Sequence, residues 1–206
     1  MFISFEGLDF SGKSTQVDLL KNYFESNGKD VLLIREPGGT SISEKIRDIL
    51  LDKKNSQMHI ETELLLFTAS RAQLVNEVII PALNEGKIVI SDRFHDSSIA
   101  YQSYGRGISL EFVKNLQNYI IRNVVPVLTF FIDVDIKEMF NRKNGILPFD
   151  LDRIELSDEQ FYNKVRNGYL EIAKQEERFI LINGTDSIED IHNFILKKVL
   201  NYETTI

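Results

Sequence analysis

Residues 7–14, Gly7-Leu-Asp-Phe-Ser-Gly-Lys-Ser14, match the pattern G-x-x-x-x-G-K-[ST] without a gap. They follow a short apolar run, "FISF" at 2–5, and open a segment in which Val17, Leu20 and Phe24 fall at helical spacing. A strand, a glycine-rich turn and a helix in that order are the setting in which this motif holds phosphates. Gly7 and Gly12 let the backbone turn so that successive N–H groups converge on an anion. Lys13 then reaches the outer phosphates, and Ser14 can ligate Mg²⁺. A chance match somewhere in a chain of this length has a probability on the order of one per cent at ordinary residue frequencies. The loop therefore predicts nucleotide binding, with Gly7, Leu8, Asp9, Phe10, Ser11, Gly12, Lys13, Ser14 and Thr15 around the phosphates of ATP.

The rest of the chain repeats the same alternation. "VLLIR" at 31–35, "KIVIS" at 87–91, "VLTFFID" at 127–133 and "RFILIN" at 178–183 are compact apolar runs. Such runs suit parallel strands buried on both faces. Asn27-Gly28 supplies a stop for the first helix, and Ser187 with Asp190 predicts a cap before the stripe Ile188, Ile191, Ile195 and Val199. With β-α repeated about five times, right-handed crossovers give an α/β, doubly wound, roughly five-stranded parallel sheet with helices on both faces. That is the P-loop NTPase class. No linker or repeat divides residues 1–206, so one domain is expected. Three segments depart from the pattern: the turn "REPGGTS", a long helical stretch over about 60–84 containing Pro81, and "RKNGILPFDLDRIE". The last is expected to form a lid over about 142–154.

Composition narrows the partners. At 43% hydrophobic and 27% charged the chain resembles an ordinary soluble globular protein. A net charge of -7, without a run of five like charges, argues against bulk attraction to nucleic acid or an anionic membrane. Nothing approaches 18 consecutive apolar residues, so no membrane span is expected. The absence of cysteine removes thiolate chemistry and fits a cytoplasmic location. His59, His95 and His192 lack metal-ligand spacing and are expected at the surface or in supporting positions.

Asp92 ends the strand "KIVISD" at the sheet edge where open α/β folds bind ligands. It is a candidate metal partner for Ser14, or a cap for the next helix. Arg35, Arg47, Arg71, Arg93, Arg106, Arg142 and Arg153 lie in or beside loops, and several adjoin turn motifs. They point to a second phosphate besides those of ATP. A guanine-specific switch would carry N-K-x-D after a later strand, and "VLTFFID" is followed by "VDIKEMF" instead.

"FEGLDFSGKST", "REPGGT", "LLLFTASRAQ", "DRFHDSSIAYQ" and "LDRIE" resemble the thymidylate kinases in order and spacing, over residues 2–185. The resemblance implies that ATP–Mg²⁺ donates its γ-phosphoryl group to dTMP, with Ser14 and Asp92 at the metal. It implies that Arg93 clamps the dTMP phosphate, although an ion pair with a nearby carboxylate is the structural alternative. By the same likeness Phe67 stacks on thymine, Arg71 reaches its O4, Ser98 and Gln102 meet the base edge, and Tyr101 packs on the sugar. A core position is the alternative for Phe67, since "ELLLF" is apolar throughout. Glu36, Pro37 and Arg47 would border the acceptor pocket. Asp9, a carboxylate within a phosphate loop, would face the acceptor and hold its arginine, or else stabilise the turn. Some members carry a transition-state arginine where this chain has Phe10. The resemblance therefore gives that role to Arg153, beside Lys13, with Arg142 or Lys143 near ATP. Members of the family form homodimers.

Overall fold

Five strands, β1 (Phe2–Glu6), β2 (Val31–Arg35), β3 (Ile88–Asp92), β4 (Leu128–Asp133) and β5 (Phe179–Asn183), form one parallel sheet in the order β2-β3-β1-β4-β5. The computed structural model describes residues 1–144 and 151–204. Each of the five apolar runs has become a strand, and every residue of β1 is buried, as a central strand covered on both faces requires. Strand register places the phosphate loop. Phe5 stands opposite Asp92, and Glu6 opposite Phe131, so the loop leaving β1 emerges beside the carboxyl end of β3.

One face is covered by α1 (Lys13–Ser26) and α9 (Ile188–Glu203). Val17, Leu20 and Phe24 pack there with Ile191, Ile195 and Val199 against Ile3, Phe5 and Phe130. Ile188 drops out of the expected stripe and is exposed. The predicted cap is present, with Ser187 Oγ accepting from the Asp190 N–H at 3.1 Å. Part of the other face is built by α6 (Leu110–Ile121) and α8 (Glu159–Gln175), whose Val113, Tyr162, Val165 and Tyr169 meet Leu8 and Phe131.

The stretch 60–84 is helical throughout but not uniform. Regular helix α3 (Ile60–Leu74) passes through a π-helical turn, Val75–Ile79, into α4 (Ile80–Asn84). Pro81 sits in the first turn of α4, a place proline tolerates. The buried face of α3 includes Glu63, Thr68, Ser70 and Arg71, which marks it as the wall of a site rather than simple core. After β3 the short α5 (His95–Ser98) likewise runs into a π-helical segment, Ile99–Gly105, of the kind found at functional sites. Helix α2 (Ser41–Leu51) is capped by Thr40, whose Oγ1 accepts from the Ser43 N–H at 3.0 Å. Helix α7 (Ile136–Lys143) leads into the expected lid, of which 145–150 lie outside the described residues.

Of the two settings expected for the histidines, His95 takes the supporting one and is buried. Its Nε2 lies 3.3 Å from Arg178 Nη2, and Arg178 grips the buried Asp96 with both terminal nitrogens at 2.8 Å. Burial pushes the imidazole down to about 4, so it is neutral at physiological pH. Among the described residues no helix is long and apolar enough to cross a membrane.

Candidate active site

The glycine-rich loop joins β1 to α1. A Cβ on Gly7 would stand 2.6 Å from the carbonyl oxygen of Ile132, so only glycine allows the loop to lie this close to β4. Gly12, at φ 96°, turns the chain into α1. The Leu8 side chain is core, and its carbonyl accepts from Lys13 Nζ at 2.7 Å. Gly7 and Leu8 thus support the loop from behind, while Asp9, Phe10, Ser11, Gly12, Lys13, Ser14 and Thr15 line a cavity of about 610 Å³. Burial, followed by repulsion from Arg93, pushes the Lys13 ammonium down to about 8.

Ser14 Oγ donates to Asp92 Oδ2 at 2.8 Å, which brings the two expected metal partners together in the cleft. The donor set fits a hard divalent cation held mainly by substrate phosphates and water, as Mg²⁺ usually is.

The opposite wall answers why a carboxylate sits in the loop. Asp9 turns aside and pairs with Arg93, with Oδ1 accepting from Nη2 at 2.5 Å. Burial would raise the Asp9 carboxyl, but Arg93 and Lys13 outweigh it and hold the group below its usual range. Arg93 follows β3 with φ 70°, a left-handed conformation that costs a non-glycine residue energy and that surrounding contacts must maintain. Nη1 donates to Gly7 O at 2.9 Å, Nη2 donates to Tyr101 Oη at 3.0 Å, and the guanidinium lies 4.9 Å from the Tyr101 ring centroid.

Three supporting residues escaped sequence reasoning. Tyr162 donates to Asp9 Oδ2 at 2.8 Å, and Arg93 Nη1 donates to Tyr169 Oη at 3.2 Å. These tyrosines lie two helical turns apart on α8, a spacing that reads equally well as core. Glu6, fully buried, accepts from the Phe94 N–H, Ser97 Oγ and Tyr169 Oη, and so fixes the segment that follows Arg93. Burial and the nearby Asp96 push its carboxyl up to about 7.

The remaining wall holds the expected acceptor residues. Phe67 is half-buried, lines the cavity and belongs to none of the hydrophobic clusters, so the core alternative fails for it. Arg71 is buried and heavily engaged. Nε donates to Glu36 Oε2 at 2.7 Å, Nη1 to Ser98 Oγ at 2.7 Å and Gln117 Oε1 at 2.6 Å, and Nη2 to Phe94 O at 3.0 Å. An added acceptor would have to replace one of these partners. Glu36 Oε1, by contrast, is buried with none. Arg47 and Arg35 donate to Pro37 O at 2.8 and 3.0 Å, gathering the turn and both arginines at the cavity mouth. Gln102 lines the same cavity and donates from Nε2 to Glu63 Oε1 at 3.2 Å.

Arg153 stands apart from the other expected site residues, and its Nη2 is buried without a partner. Its Nε donates to Leu50 O and its Nη1 to Glu63 Oε2, both at 2.7 Å, and it does not line the cavity that Asp152, Ile154 and Glu155 reach. The buried carboxylate of Glu63 offers this guanidinium a partner that no local sequence signal reveals. Arg142 does line the cavity. Its Nη1 donates to the carbonyls of Phe10 and Ser11 at 3.3 and 3.2 Å, and its Nη2 to Gly184 O at 2.9 Å.

A phosphate loop and an arginine–aspartate pair lining one cavity are the layout of a P-loop nucleoside monophosphate kinase. The family model for thymidylate kinase matches residues 5–195. The chain belongs to the thymidylate kinase family. It is 50% identical to the thymidylate kinase of Kosmotoga olearia over 201 residues, covering 97% of this chain and 95% of that protein. Against the Caldanaerobacter subterraneus subsp. tengcongensis enzyme the identity is 46%, covering 98% and 95%. The crystal structure of thymidylate kinase from Ehrlichia chaffeensis superposes with a TM-score of 0.77 at 38% identity, covering 97% of this chain and 98% of that one.

Proposed function

We propose that this protein transfers the γ-phosphoryl group of ATP to dTMP, giving ADP and dTDP. The observation that carries the proposal is that Lys13 and the phosphate loop line one cavity together with the Asp9–Arg93 pair. A phosphate monoester is largely dianionic at pH 7 and already carries a nucleophilic oxygen, so no general base is needed. The obstacle is charge. Two like unit charges at 4 Å repel by about 4 kcal/mol at an effective dielectric of 20. Arg93 offsets this on the acceptor side, with Asp9 and Tyr101 fixing its direction. Asp9 is assigned the deoxyribose 3′-hydroxyl as a further donor, and Tyr101 is assigned to pack on the sugar. Lys13 and the loop N–H groups receive the donor phosphates, and Arg142 borders the nucleotide.

Mg²⁺, held by Ser14 and Asp92, would supply positive charge between the donor phosphates. Phe67 stacks on thymine, while Ser98, Gln102 and Arg71 face its polar edge. Glu36 and Arg47 close the mouth. Exposed Ile42, Ile49, Leu65, Phe112 and Tyr119 on α2, α3 and α6 support a homodimer through those helices. A net charge of -7 and the absence of cysteine support a cytoplasmic protein that does not bind nucleic acid.

A panel of monophosphates with ATP and Mg²⁺ tests the assignment. dTMP is expected to exceed dUMP modestly, because one methyl group is worth about 1–3 kcal/mol. Equal or better turnover of AMP or CMP would overturn it. Arg153, held outside the cavity, is assigned the positioning of Glu63 rather than transition-state charge. Arg153→Ala is expected to lower kcat by less than roughly tenfold, whereas an arginine on the transferring group contributes about 10³–10⁵. A thousandfold loss of kcat at constant KM would restore the catalytic assignment.

A further inference from the structure

Glu63 is the least expected group beside the acceptor wall. It projects from α3, is 2% exposed, and receives four donations: from Arg106 Nε and Gln102 Nε2 on Oε1, and from Arg106 Nη2 and Arg153 Nη1 on Oε2. Burial would raise its carboxyl, but Arg106 and Arg153 outweigh burial and hold it below the usual range. Glu63 is therefore an ionised, accept-only group.

An amide beside such a group has one stable orientation. Gln102 must present its NH₂ to Glu63, because its carbonyl oxygen would meet another acceptor. The oxygen is then left for whatever enters the cleft that Gln102 lines. An outward carbonyl accepts from a ring N–H. It suits the N3–H of a 4-oxopyrimidine and opposes the bare N3 lone pair of a 4-aminopyrimidine.

We propose that Glu63 is a specificity-positioning residue: by fixing which end of the Gln102 amide faces the cleft, it makes the acceptor site select thymine-type over cytosine-type bases. This rests on dTMP being the acceptor. Glu63 touches no substrate and acts only through Gln102.

The test compares dTMP with 5-methyl-dCMP, which keeps the methyl group and changes only the hydrogen-bonding edge. In Glu63→Gln the neighbouring amide no longer dictates orientation. The ratio of kcat/KM for the two acceptors is expected to fall at least tenfold, through KM, with kcat for dTMP changed far less. Arg106→Lys keeps a cation beside Glu63 while removing the two-pronged guanidinium grip, and should leave the ratio unchanged. An unchanged ratio in Glu63→Gln, or an equal fall in Arg106→Lys, overturns the proposal. Should Glu63→Gln fail to fold, Gln102→Leu decides: an intact preference for dTMP there also overturns it. Failure of the unmodified enzyme to prefer dTMP would instead defeat the assignment of the acceptor, so the two failures are distinguishable.

Discussion

Arg93→Ala should lower kcat/KM for dTMP by roughly 10³–10⁵-fold while leaving ATP affinity nearly intact. Among the described residues, Arg93 is the cation tied to Asp9, Tyr101, Tyr169 and the Gly7 carbonyl together. Its removal deprives the acceptor phosphate of a partner and also leaves the Asp9 carboxylate facing that phosphate uncompensated. The donor loop keeps Lys13 and its amides, so the effect falls on one substrate. Arg93→Lys should rescue only a minor part, since an ammonium cannot hold Asp9, the carbonyl and the phosphate in one plane. Steady-state kinetics with both substrates varied, together with direct ATP titration, separates the two halves. An equal loss of ATP affinity would show that Arg93 serves the whole cavity rather than the acceptor side.

Lys13→Met is expected to reduce kcat by roughly 10²–10³, the usual cost of removing a preorganised donor from developing charge. A pH signature accompanies it. In the free enzyme the ammonium titrates at about 8, so it is charged below that pH and neutral above it. Donor phosphates favour the charged form and must raise that pKa on binding. ATP affinity should therefore weaken as pH rises through 8, with proton uptake on binding between about pH 7 and 9. Calorimetry in two buffers of different ionisation heat measures that uptake, and Lys13→Met should lack it. No uptake in the unmodified enzyme would mean that Lys13 is already fully charged before the nucleotide arrives.

Legibility in the sequence followed contact distance. The strands were readable because burial on both faces demands unbroken apolar runs, and the phosphate loop because its glycines, lysine and serine act within a single turn. Pairings between distant elements left no such trace. Asp9 meets Arg93 84 positions away, and only the paradox of a carboxylate in an anion loop hinted at it. Arg153 shows the same limit in reverse. The motif around it is local, but the direction of its side chain is set by Glu63, 90 positions distant. Which of its two expected settings His95 takes was not legible, because burial beside Arg178 depends on a contact 83 positions away. Tyr162 and Tyr169 share a helical spacing that fits plain core, yet their hydroxyls, not their rings, decide what they do.

Those hydroxyls give the acceptor wall a mechanical property. Their Cα atoms are separated by roughly 10 Å along a stiff rod, and each phenol grips one member of the same ion pair. Sliding or tilting α8 as a unit carries both grips together, so the offset between carboxylate and guanidinium is preserved. Only a bend within the two intervening turns would pull the pair apart. Thermal wandering of this beam therefore shifts the acceptor's seat without distorting it.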